Sequence, residues 1–121
     1  MAAVGDELIS NPHVKGVSFT DSTAVGRQIA SKAGGLLKKA CVELGGKDAL
    51  IILDDADMER ALNAATFGTF MHQGQICMSV EKIIVDTSIA DEFTKRFVEK
   101  VKTLNVGDPH EMGNVIGPII N

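Results

Sequence analysis

Val42-Glu43-Leu44-Gly45-Gly46-Lys47 and Gln73-Gly74-Gln75-Ile76-Cys77-Met78-Ser79 are the stretches around which the chain is organised, with one helical segment between them. The first carries an apolar run into a Gly-Gly turn. Glu43 therefore leaves the end of a strand where the backbone can come close to a ligand. The second is a polar, glycine-containing loop just past a helix, and Cys77 sits in it. A carboxylate and a thiol delivered this way suit nucleophilic catalysis, the carboxylate taking protons from a thiol or a water. On the residues alone, Glu43 also reads as an exposed strand-end carboxylate, and Cys77 as an inert buried thiol. Gln73, Gly74, Gln75 and Ser79 make the loop a poor place for a core filler. Cys41, in an apolar strand, reads as structural.

Working outward, residues 4–10 read as a short helical turn ended by Asn11-Pro12, because proline restricts the residue before it. Residues 14–20 alternate as a strand, with Val17 and Phe19 on one face. A polar turn follows, then a helix over 24–33 in which Val25, Ile29 and Ala33 recur every four residues, stopped by Gly34-Gly35. Residues 39–44 and 49–53 read as the second and third strands. Asp54-Asp55-Ala56-Asp57 is a helix-start signal for residues 58–71, a segment apolar on most sides and so expected to be buried. A fourth strand spans 82–85. An amphipathic helix over 89–104 places Ile89, Phe93, Phe97, Val101 and Leu104 on one stripe. Strands alternating with helices give an α/β fold with at least part of a parallel sheet. The turn at 20–26 is the candidate anion site, since the first amides of a helix are unpaired and its dipole favours negative charge. It contains neither the three-glycine dinucleotide fingerprint nor a P-loop, and Asp21 serves as a helix cap whether or not anything binds.

The 121 residues leave room for one modest core or parts of two domains. No apolar run approaches the ~20 residues of a membrane span, and the N-terminus lacks the features of a signal peptide. A net charge of −4 argues against general nucleic-acid binding. Phe is the only aromatic residue, so there is no evident platform for stacking bases. Two distant cysteines point to a reducing, cytoplasmic setting. His13, His72 and His110 have no companions at ligand spacing, so no metal site is expected. A Cys77–His72 pair is a lesser alternative to Glu43.

Glu-Leu-Gly-Gly-Lys at 43–47, followed by Gly-Gln-x-Cys at 74–77, resembles the aldehyde dehydrogenase superfamily. The resemblance runs from Val4-Gly5-Asp6-Glu7-Leu8 to Gly117-Pro118. It implies an internal segment of a longer NAD(P)-dependent enzyme and a partial aldehyde-dehydrogenase-like fold. Residues 1–44 would be the end of a Rossmann-like cofactor domain, and 45–121 the start of the catalytic domain. By this resemblance Cys77 is the nucleophile, passing through a thiohemiacetal and a thioester, and its backbone amide helps hold the oxyanion. Glu43 is the base that activates the deacylating water. Leu44 and Gly45 present backbone close to the nicotinamide of NAD or NADP.

The 20–26 turn resembles the family's Phe-Thr-Gly-Ser-Thr-x-x-Gly, in which the residue matching Ser22 contacts the pyrophosphate. Thr20, Ser22 and Gly26 are therefore cofactor candidates. Asp21 replaces the first glycine of that turn, adding a charge and a side chain that weaken cofactor binding. Lys47 is a solvated charge or an ion-pair partner. The implied substrate is a small-molecule aldehyde. The 71–79 stretch is similar to members acting on aromatic aldehydes, without naming one. A sheet cut on both sides leaves edges and apolar faces bare, so self-association is expected, with weak activity or none from this chain alone. Two other readings stay open. One is an inactive remnant or truncated product, favoured by Asp21 and by Met1 falling inside the family pattern. The other is a stand-alone nucleotide- or phosphate-binding module that uses the Ser22 helix start without Cys77 chemistry.

Overall fold

The computed structural model describes residues 2–120; Met1 and Asn121 lie outside the described residues. The chain divides into two compact units, Met1–Gly46 and Lys47–Asn121. The first contains helix α1 (Ala2–Ser10), strand β1 (Gly16–Thr20), helix α2 (Thr23–Gly35) and strand β2 (Lys39–Glu43). β1 and β2 pair in parallel, in register from Gly16 opposite Lys39 to Thr20 opposite Glu43. A parallel pair needs a crossover, and α2 provides it. The N-cap of α2 is Ser22, whose hydroxyl accepts from the Val25 amide at 3.5 Å. Asp21, expected to cap, instead accepts from the Ser22 amide through Oδ1 at 2.6 Å.

The C-terminal end of α2 departs from expectation. Gly34 and Gly35 lie inside the helix, and Leu37 takes the left-handed conformation, with φ 56°. Lys38 N–H reaches Ala33 O at 2.9 Å and Leu37 N–H reaches Gly34 O at 2.9 Å, the paired bonds of a Schellman turn. Lys38 then crosses to the end of α1, where its ammonium donates to the carbonyls of Ile9 and Asn11, at 2.5 and 2.6 Å. Carbonyls left over at a helix terminus are natural partners for a cation. Ile9, Gly26 and Ala33 are the buried residues of this unit among those described.

The second unit repeats the strand–helix–strand plan. Strands β3 (Asp48–Ile52) and β4 (Val80–Val85) pair in parallel, with a register shift between Asp48 and Ala49. Helix α3 (Met58–Phe70) and a 3-10 turn (Met71–Gly74) connect them, and helix α4 (Ala90–Val101) follows β4. Asp57 caps α3 by accepting from the Arg60 amide at 2.8 Å. Ile52, Leu62, Ala65 and Phe93 form the core, with Phe97 packed against it. The Phe93 and Phe97 rings stack at 5.5 Å. Arg96 of α4 pairs with Glu59 of α3 and with Glu92 one turn back.

One expectation changes here. Helix α3 is not apolar and buried all round: Leu62 and Ala65 are buried, whereas Phe67 is 66% exposed. Among the described residues the second and third strands lie in separate two-stranded sheets, β1 with β2 and β3 with β4. Ile51 and Ile84, on the β3–β4 sheet, are exposed. No helix among the described residues is long and apolar enough to cross a membrane.

Candidate active site

In the first unit, parallel pairing brings several candidate residues to one edge. Thr20 and Glu43 are register partners at the carboxyl ends of β1 and β2. The Asp21 amide continues the ladder by donating to Glu43 O at 3.2 Å. The turn toward α2 and the Glu43 carboxylate thus leave the sheet side by side, and Glu43 is exposed. One residue on, the Leu44 side chain packs against Gly26, and a β-carbon at Gly26 would collide with it. Gly26 is buried, so its small size serves helix-to-strand packing. Gly45 is exposed and has open space where a β-carbon would stand.

The thiol belongs to the second unit. After α3 the backbone turns left-handed over three residues: His72 (φ 49°), Gln73 (φ 59°) and Gly74 (φ 74°). A β-carbon at Gly74 would sit 3.1 Å from Thr69 O. The Gln75 amide donates to His72 O at 3.0 Å. Ile76 and Ser79 then close a short loop. Ser79 N–H donates to Ile76 O at 3.0 Å, and the Ile76 amide donates to Ser79 Oγ at 3.4 Å. Ser79 is 3% exposed, while Cys77 and Met78 between the two are exposed. A buried serine pins the loop and presents the thiol outward. No hydrogen bond joins His72 to Cys77 among the described residues.

Cys41, read from the sequence as structural, is also exposed. Lys47 pairs with Glu81 across the β3–β4 end of the second unit. Among the described residues no group of three or more His, Cys, Asp or Glu is placed to hold a metal ion.

Sequence reasoning passed over the anchoring roles of three residues. In the sequence Ser79 reads only as a polar neighbour, yet a serine three residues after Ile76 in a glycine-containing loop is a familiar turn-closing pattern. Gln73 and Gln75 reach the C-terminal segment. The Gln73 amide, oriented so that its oxygen accepts from the Gly117 amide at 3.0 Å, donates to His72 O at 3.1 Å. Gln75 Oε1 accepts from the Ile120 amide at 3.0 Å. Beside this loop lies an apolar groove of about 490 Å³, lined among others by Phe67, Phe70, Met71, Leu104 and Val115. Cys77 is not part of its wall.

Residues 1–121 match the model of the aldehyde dehydrogenase family. The chain is 53% identical over 119 residues to salicylaldehyde dehydrogenase of Pseudomonas sp. strain C18, covering 98% of this chain and 25% of that protein. The crystal structure of a salicylaldehyde dehydrogenase from Pseudomonas putida G7, complexed with salicylaldehyde, matches with a TM-score of 0.93 and 52% identity, over 98% of this chain and 25% of that one. A glyceraldehyde-3-phosphate dehydrogenase from Methanocaldococcus jannaschii, complexed with NADP, matches with a TM-score of 0.90 and 49% identity, over 97% and 25%. The chain spans about a quarter of the length of these relatives. With its sequence matched throughout by one family model and half its residues shared with such relatives, the chain belongs to the aldehyde dehydrogenase family.

Proposed function

We propose that the chain contributes the thiol, the general base and part of the cofactor platform of an NAD(P)-dependent aldehyde dehydrogenase. One observation carries this reading: Thr20 and Glu43 end paired strands, so the anion-binding turn and the base leave one sheet edge together. Residues 1–44 then act as the end of the cofactor domain and 45–121 as the start of the catalytic domain. Cys77 Sγ adds to the aldehyde carbonyl carbon, and its proton passes to water. The Cys77 backbone amide donates to the oxygen on which charge develops. NAD or NADP, when bound, supplies the acceptor for the hydride that leaves the substrate carbon. Cys77 is left carrying a thioester. Glu43 takes a proton from the water that attacks the thioester carbon, the C–S bond breaks, and the carboxylic acid departs as the thiol is restored.

The turn fits a dinucleotide in two respects. It leads from the carboxyl end of a parallel strand into a helix N-terminus, and Gly26 lets α2 seat closely on Leu44. Thr20, Ser22 and Gly26 would hold the pyrophosphate end, and the backbone of Leu44 and Gly45 the nicotinamide end. Asp21 works against the fit, because its carboxylate already takes the Ser22 amide. That contact also favours a second reading, a family member in which the cofactor site has fallen silent.

The similarity to a salicylaldehyde dehydrogenase supports an aromatic aldehyde as substrate. Two free thiols support a cytoplasmic setting. Exposed Ile51 and Ile84 support self-association.

The test is the alkylation rate of Cys77 against Cys41, read by mass spectrometry with and without NAD⁺ or NADP⁺. Both thiols are exposed, so Cys41 serves as the internal reference. Faster reaction at Cys77, altered by cofactor, is the expected result. Equal rates, indifferent to cofactor, would sink the catalytic reading in favour of the silent one.

A further inference from the structure

We propose that Gln73 and Gln75 are positioning residues, holding the Cys77 loop against the segment 117–120. The proposal rests on the reading of Cys77 as nucleophile. Of the three left-handed residues before the loop, only Gly74 adopts that backbone without strain. His72 and Gln73 need support from outside the backbone, and the two glutamines flanking Gly74 supply it. Gln73 uses both ends of its amide, accepting from Gly117 N–H and donating to the carbonyl of His72. Among the described residues Gln75 uses only its oxygen, accepting from Ile120 N–H. On the far side of Cys77, the reciprocal Ile76–Ser79 bonds close the loop. The thiol is thus held between two clamps while its own side chain is anchored to nothing else among the described residues. The direction in which it points is set by its neighbours.

The chemistry of the two clamps predicts different tolerance to change. A carboxylate at position 75 still accepts from Ile120 N–H. A carboxylate at position 73 loses its donor and faces the His72 carbonyl with a negative charge.

The experiment uses the full chain and reads the ratio of Cys77 to Cys41 alkylation rates, together with the amide resonance of Cys77. Gln75→Ala lowers the ratio about threefold, the factor a single neutral hydrogen bond supplies. Ile120→Pro, which deletes the donor from the other side, lowers it equally, and the double variant lowers it no further. Gln75→Glu keeps the parent ratio, whereas Gln73→Glu does not. An unchanged ratio in Gln75→Ala, or a Gln75→Glu variant that falls with it, overturns the proposal. Should Gln75→Ala fail to fold, Ile120→Pro carries the same test. If Cys77 and Cys41 already react alike in the parent chain, the nucleophile reading fails by itself. The clamp is then judged by the Cys77 amide, which must shift in both Gln75→Ala and Ile120→Pro; a resonance that stays put overturns the clamp too.

Discussion

The Leu44 side chain occupies the place where a β-carbon on Gly26 would stand, so α2 is seated on the end of β2 by the lack of a side chain. The contact joins the turn that opens α2 to the residue directly after Glu43. Gly26→Ala forces Leu44 to move, and overpacking of this kind costs about 1–3 kcal/mol. Urea unfolding followed by circular dichroism should show the lowered midpoint. A midpoint equal to the parent's would mean that Leu44 yields freely and the seat is not tight.

Asp21 holds the Ser22 amide at the point where an anion would approach α2. Removing it frees a donor and takes away a unit of negative charge at a helix N-terminus, an effect of about 1 kcal/mol. Asp21→Gly should therefore bind inorganic pyrophosphate about fivefold more tightly, read from the Ser22 and Thr23 amide shifts during titration. Equal affinity in the two proteins would show that the Asp21 contact does not gate the site.

Leu37 is 96% exposed and carries the left-handed residue of the α2 terminus. Its side chain adds little packing, while the backbone conformation costs about 1–2 kcal/mol for a residue with a β-carbon. Leu37→Gly removes that strain and loosens the unfolded chain, for a net gain of about 0.5–1 kcal/mol. Thermal melts would show a raised midpoint. A lowered one would mean that the leucine makes a contact worth more than its strain.

Much of this architecture is legible from spacing. The α4 stripe stands out because five apolar residues recur at helical intervals among charges, and Phe93 is indeed core. Asp57 before α3 is legible because a short acidic side chain has one obvious use there. The glycine pair at 34–35 misleads, since glycine is also tolerated within a last helical turn when a following residue accepts the strain. The left-handed run at 72–74 is hidden for a related reason: two of its three members are ordinary residues, and the Gln73 side chain bonds to Gly117, far along the chain. Periodicity is a local signal. It finds Cys77 in a polar loop but not the buried Ser79 that pins it, nor the exposure of Cys41 on a two-stranded sheet.

Asp86 offers a check on the turn between β4 and α4. Its Oδ1 accepts from the Ser88 amide at 2.9 Å and from the Ser88 hydroxyl at 2.7 Å. These bonds, the backbone one first, hold its pKa below the ordinary 3.8. A carboxylate with a depressed folded pKa contributes stability above its unfolded value and loses it as pH falls through the folded one. Ser88→Ala should raise the Asp86 pKa part of the way back, because the backbone donor remains, and so move the acid end of the stability profile to higher pH. Carboxyl carbon shifts across an acid titration would follow this. An Asp86 that titrates identically in both proteins would show that the hydroxyl contributes nothing.

The left-handed bend ahead of Cys77 also narrows what mutation can explore there. Valine, isoleucine and threonine are poorly compatible with the backbone angles of His72 and Gln73, and proline is barred from them outright. At Gly74 even alanine meets both an unfavourable φ and the Thr69 carbonyl. Drift in this hook is channelled toward glycine, asparagine, aspartate and a few unbranched residues, whatever substrate the lineage meets. Substitution at the groove positions Phe67, Phe70 and Met71, none of which has a left-handed backbone, escapes that restriction. Variants in a selection experiment should accumulate at those three positions, while residues 72–74 stay nearly fixed in composition.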